Sequence, residues 1–186
     1  MTMTMTLTKW RRSLAQGVVA GSLASVLSIA GATLASRRQT GSGAAAVNAI
    51  SHWLWGDDSL YRNSTTLTYT GVGYATHHAA SVFWGTLYAV AAHDRPATRT
   101  PTGIALGALA TSAFAAVVDY QVVPKRFTPG FEHRLSTGAM VGVYALLALG
   151  LGAGALAMRN RYNDRDRDSD SDDFGPTAAF KRRRFF

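Results

Sequence analysis

Cysteine is absent from the 186 residues, which excludes a disulfide framework, thiol catalysis and any Cys-based zinc site. Charge is absent from two long windows, residues 13–35 and 135–158. Soluble helices of such length normally carry a polar face, so these windows do not read as the surface helices of a soluble bundle. No nucleophile and base fall at a recognisable catalytic spacing either. The expectation leans away from catalysis, with an enzyme working on lipid as a third alternative.

What is present is apolar sequence gathered into blocks. The chain is 47% hydrophobic, and a helix rising ~1.5 Å per residue needs roughly 20 apolar residues to cross a hydrocarbon core ~30 Å thick. The two uncharged windows meet that length. Residues 76–92, extended upstream by uncharged Thr, Gly and Tyr, approach it, as do residues 102–118, where Pro101 suits the first turn of a helix. The pattern predicts an all-α membrane protein: a four-transmembrane-helix bundle with spans at about 13–35, 73–92, 101–119 and 135–158. Small residues four apart let helix backbones approach closely in lipid. They recur as Gly17, Gly21, Ser25; Ser81, Gly85, Ala89; Gly103, Gly107, Thr111; and Gly138, Gly142, then Gly150, Gly154. The same ridges suit a contact between copies, so a homo-oligomer or a partner membrane protein is expected besides the lipid bilayer.

Basic residues near spans stay on the cytoplasmic side. Lys9, Arg11 and Arg12 precede the first span, Arg95 and Arg99 follow the second, and the tail adds Arg159, Arg161, Arg165, Arg167, Lys181, Arg182, Arg183 and Arg184. Fewer lie on the other side: Arg37, Arg38, Arg62, Lys125, Arg126 and Arg134. Both termini are thus expected in the cytoplasm, with residues 1–12 a cytoplasmic segment and 36–72 and 120–134 outer loops. Lys9 to Arg12, the apolar run and "AGA" at 30–32 also fit a cleavable secretory signal with a twin-arginine flavour. The run is longer than a usual signal core and carries helix-packing spacing, which favours a retained span.

The first outer loop opens with the linker "SRRQTGSG" and continues as "AAAVNAISHWLWGDD". Val47, Ile50 and Leu54 recur at helical spacing, and Trp53 and Trp55 suit a lipid–water boundary. A short interfacial helix is expected over residues 44–55, with Asn48 and His52 one turn apart. In the second outer loop Pro124, Pro129 and Gly130 force turns, and ion pairing among Asp119, Glu132, Arg126 and Arg134 would lower the cost of charge near lipid. Residues 159–186 alternate Arg and Asp with Ser and cannot bury apolar area, so a disordered charged cytoplasmic tail is expected. Its end, "KRRRFF", suits anionic lipid rather than nucleic acid.

This topology gathers His77, His78, His52, His133, Asp119 and Glu132 at one outer rim. Imidazole with carboxylate is a ligand set for a transition metal, so these six are the metal candidates, with no cofactor as the leading expectation. Adjacent histidines on a helix point about 100° apart, so His77 and His78 do not form the one-face pair of an i, i+4 spacing. A haem bundle needs axial histidines deeper inside, and the middles of the first, third and fourth spans hold none.

Three stretches carry a likeness: "THHAASVFWGTLY" (76–88), with Thr76, His77, Ser81 and Tyr88 at their spacing; "GIALGALA" (103–110); and "FTPGFE" (127–132). From the second span to the start of the fourth, the chain resembles the YagU-like family of bacterial inner-membrane proteins. His78, the first long loop and the tail depart from that pattern. The resemblance implies a multi-pass bundle in the bacterial inner membrane and transfers no catalytic residue. The functional expectation is a structural or accessory bundle, with a metal- or proton-handling protein as the alternative.

Overall fold

The structure is a computed structural model that describes residues 2–93 and 95–173, with side chains at 7, 9–93, 95–96, 98 and 100–161. All its regular elements among these residues are helical. Helix α1 (Thr2–Thr40) leads into two short helices, α2 (Ala44–Ile50) and α3 (His52–Trp55). A 3₁₀ turn (Asp57–Tyr61) and a π turn (Leu67–Gly71) then deliver the chain to α4 (Val72–Ala92). Helix α5 (Pro101–Val117) ends in a second π turn (Val118–Val122), and α6 (Thr137–Asp173) closes the described chain.

Among the described residues three helices are long and apolar enough to cross a membrane: Lys9–Thr40, Pro101–Val122 and Thr137–Arg161. This supports a membrane-embedded protein. Helix α4 is not among them although its 21 residues match the length. Its sequence interleaves His77, His78 and Tyr74 with the apolar positions, which dilutes its hydropathy. Pro101 opens α5 as expected, and Thr100 caps it by accepting from Gly103 N at 3.0 Å.

Helix α1 is the spine, packing on α4 along one side and α6 along another, while α5 leans mainly on α6. The α1–α4 crossing runs through glycines. A Cβ on Gly85 would lie 2.6 Å from Gly17 O and 2.7 Å from Gly21 N, so only glycine admits that backbone approach. Gly150 and Gly154 bring α6 against Ala24 and Ala20 of α1 in the same way. Gly138 and Gly142, by contrast, meet nothing within 4 Å. Apolar clusters follow the axis: Ala20, Ala24, Ala108, Leu147 and Leu151 in the middle, and Tyr88, Ile104 and Ala155 toward the short connection between α4 and α5.

At the other end the two long connections interlock. The stretch expected as one interfacial helix is two helices, and every residue of α2 is buried. Gly73 of α4 lets it sit inside the protein, because Val47 O occupies the space where a Cβ on Gly73 would stand. Asn48, fully buried, donates to Arg62 O and Ser64 O at 3.0 Å each and accepts from the Thr70 hydroxyl at 2.6 Å. One amide thus folds residues 56–70 back over α2. Trp53 Nε1 donates to Thr128 O at 2.8 Å, its ring meets Phe127 edge-on at 5.7 Å, and Phe131 enters the cluster of Ala46, Ile50 and Val143. Gln39 and Ser136 exchange two hydrogen bonds (3.1 and 2.7 Å), joining the end of α1 to the start of α6.

The charged segment also differs from expectation. Helix α6 continues past Met158 to Asp173, where disorder from residue 159 was expected; no glycine or proline falls between Gly154 and Gly175 to break it. Residues 174–186 lie outside the described residues.

Candidate functional site at the loop end

A cavity of about 70 Å³ lies within the loop end of the bundle, bounded by α1, α4, the second π turn, α6 and both long connections. Its polar side chains come from four elements: Ser28 from α1, Thr76, His77 and Ser81 from α4, Asp119 from the second π turn and Tyr144 from α6. Trp53, Trp84 and Phe131 contribute apolar wall. Neither lysine nor arginine lines it.

The His77 ring is fixed by α1. Its Nε2 lies 2.9 Å from Ser28 Oγ, and Ser28 Oγ lies 2.6 Å from Ala24 O. A hydroxyl has one proton. The shorter contact assigns that proton to Ala24 O, so His77 Nε2–H donates to Ser28 and Nδ1 remains a lone-pair acceptor. One turn on, the Ser81 hydroxyl donates to the carbonyl of His77 at 2.8 Å.

On the facing wall, Asp119 accepts from the Tyr144 hydroxyl at 2.6 Å. The π turn places both Asp119 and Tyr120, and such turns widen a helix locally and often mark functional positions. Tyr120 packs against Tyr144 with ring centroids 6.2 Å apart, and its hydroxyl reaches Met140 Sδ at 3.7 Å. Ser112 holds α6 in place by donating to the Tyr144 carbonyl at 2.6 Å. Glu132 is near enough for its charge to act on both Asp119 and Tyr120, and its Oε2 is buried without a hydrogen bond.

The six rim candidates are spread across this end. His77 and Asp119 line the cavity. His78 lies against Tyr74 (5.8 Å between centroids) with Nδ1 buried and unbonded. His52 is buried with Nδ1 2.9 Å from Ala49 O, and half-exposed His133 stands 4.0 Å from Glu132. Among the described residues no three His, Asp or Glu side chains come together as a metal-holding group. The expected pairing of acids with arginines is also replaced: Asp119 takes the Tyr144 phenol, and Arg134 donates to Asn63 Oδ1. A phenol on the neighbouring helix reaches the carboxylate without carrying a full charge into an apolar wall.

Tyr144 was missed by sequence reasoning because it is a single hydroxyl inside an otherwise apolar run, and Ser28 because it is one of several hydroxyls, Ser22 and Ser25 among them, spread along α1. A search of protein-family models, curated proteins and solved structures finds no match to this chain.

Proposed function

We propose that the chain is a four-span protein of the bacterial inner membrane, with both termini cytoplasmic and a structural or accessory role. One observation carries the fourth crossing. Helix α5 ends beside α6 at the interlocked loops, through Asp119 and Tyr144, so Pro101 begins about 30 Å away on the other side of the hydrocarbon core. Helix α4 begins at the loop end, with Gly73 against Val47. It alone links that end to α5, so it makes the return crossing, its histidines sheltered by the neighbouring helices. Kinship with the YagU-like proteins belongs to this same reading.

The Cys-free sequence makes topology directly testable. Thr65→Cys should react with a membrane-impermeant maleimide on intact cells, and Arg161→Cys only after permeabilisation. Labelling of Arg161→Cys from outside overturns the orientation; labelling of the two from the same side overturns the three crossings that the four-span reading places between them.

The accessory role is supported by the α6 face that the bundle leaves open. Gly138 and Gly142 meet no neighbour, and Val141 between them is 66% exposed. We take this as the face for a second copy. Light scattering in mild detergent should give a dimer that Gly142→Leu converts to monomer; a monomer at all concentrations overturns it.

A second reading, proton handling at the loop end, is favoured by the string from half-exposed His133 through Glu132, Tyr120 and Tyr144 to Asp119. In the metal-binding version His77, with His52 or His133, and the two acids would be ligands. Metal analysis of purified wild type against His77→Ala tests that version.

A further inference from the structure

The geometry points to the loop-end cavity as a binding site for a small protonated primary amine. This goes beyond the accessory role and rests on the packing of the cavity rather than on the number of crossings.

Three features select that chemistry. The first is charge. Asp119 is a carboxylate in the cavity wall whose hydrogen bond comes from a neutral phenol, Tyr144, at 2.6 Å. Glu132 adds charge of the same sign nearby. Arg134 is engaged with Asn63, and neither lysine nor arginine lines the space. A partly buried carboxylate is favoured by a cationic complement, and one phenol leaves most of its lone-pair capacity unused.

The second is the wall. Trp53, Trp84, Phe131 and Tyr144 line the same space, and a cation close to aromatic faces is favoured by the ring quadrupoles. These rings are fixed: Trp53 by Thr128 O at 2.8 Å, Trp84 by Phe114 at 5.9 Å, and Tyr144 by Phe131 at 6.4 Å. A fixed cage loses little entropy when a ligand enters.

The third is a second acceptor. His77 gives its Nε2–H to Ser28, which leaves Nδ1 with a lone pair. An ammonium group has three N–H donors to divide between a carboxylate and an imidazole nitrogen, whereas a carboxylate or a ketone has none. At about 70 Å³ the cavity is roughly half the ~150 Å³ that holds a benzene ring in a protein core. That limits the ligand, or the part of it that enters, to about four non-hydrogen atoms.

Propylammonium and its neutral counterpart 1-propanol are the matched probes, with the full chain in detergent or nanodiscs and binding followed by tryptophan fluorescence and ligand-observed NMR. Saturable binding of propylammonium is expected, with 1-propanol at least tenfold weaker. Asp119→Asn should lower propylammonium affinity by roughly thirtyfold or more, since one partner of a buried charge pair is removed. Equal binding of the two probes to wild type overturns the proposal without any variant, as does unchanged affinity in a folded Asp119→Asn protein. Absence of propylammonium binding to wild type at millimolar concentration overturns it too. None of these outcomes bears on the maleimide topology, so failure here is distinguishable from failure of the four-span reading.

Discussion

The hydroxyl of Tyr144 donates to Asp119 Oδ2 at 2.6 Å, tying the π turn at the end of α5 to α6 about two turns in from its start. The bond joins two helices in surroundings where each group has few other partners. Tyr144→Phe should therefore destabilise the protein by about 1–3 kcal/mol, the cost of stranding a buried acceptor. Replacing both members by apolar residues removes the stranded group, so Asp119→Leu with Tyr144→Phe should be less destabilised than Tyr144→Phe alone. Thermal unfolding in detergent of the wild type, both single variants and the double variant measures this. Simple additivity of the single losses would show that the two residues do not act as a pair.

Asn48 plays the corresponding part for the first long connection. Its amide makes three hydrogen bonds with residues that are 14 to 22 positions away in sequence. Asn48→Ala leaves two carbonyls and a hydroxyl without their partner and should cost about 3 kcal/mol. The loss should be local first. Arg62 lies on the released segment and is exposed, so trypsin cleavage after Arg62 should accelerate before the bundle unfolds. Aspartate at the same position should not rescue, because the two carbonyls need a donor.

The helical class and the start of α5 at Pro101 were legible because each rests on a long apolar run or a local steric rule. The loop end was less so. Val47, Ile50 and Leu54 announced a helix, but the burial of all of α2 depends on Gly73 and on an interlocking segment some eighty residues later, around Gly130. Asp119 and His77 stood out as ionisable residues near lipid, and both line the cavity. Nothing in the sequence ties them to their partners Tyr144 and Ser28, which meet them only across helix contacts. His52 and His133 were grouped with them by topology alone, and the structure turns one into α2 and the other toward Glu132. The helical run to Asp173 was less legible because alternating charge bars burial, whereas opposite charges three apart, such as Asp164 and Arg167, support a helix without burial.

The glycine ridges look alike in sequence and are used differently. At Gly85 an added methyl meets Gly17 O at 2.6 Å, and α1 and α4 must separate. Gly85→Ala should lower stability by about 1–3 kcal/mol, as overpacking does. At Gly142 the same methyl meets nothing within 4 Å. Gly142→Ala should leave the unfolding temperature of the monomer unchanged or raise it slightly, since alanine holds a helix better than glycine. Equal losses at the two positions would mean that the α1–α4 crossing is not as close as described.

Gly130 is the latch between the two long connections. Its φ of +88° lies in the left-handed region, and a side chain there would also run into Ala49 O and His52 Nδ1. Gly130→Ala thus combines a backbone penalty of about 1–2 kcal/mol with a collision that pushes the second connection away from α2. Phe131 would be drawn out of its cluster with Ala46 and Ile50, and the Trp53 bond to Thr128 would weaken. Lys125 and Arg126 lie on the exposed stretch just before this latch. Limited trypsin digestion should cut Gly130→Ala after Arg126 several times faster than wild type, whereas Gly138→Ala, with open space around it, should be cut at the wild-type rate. If both variants are cut alike, the two connections are held together by something other than this contact.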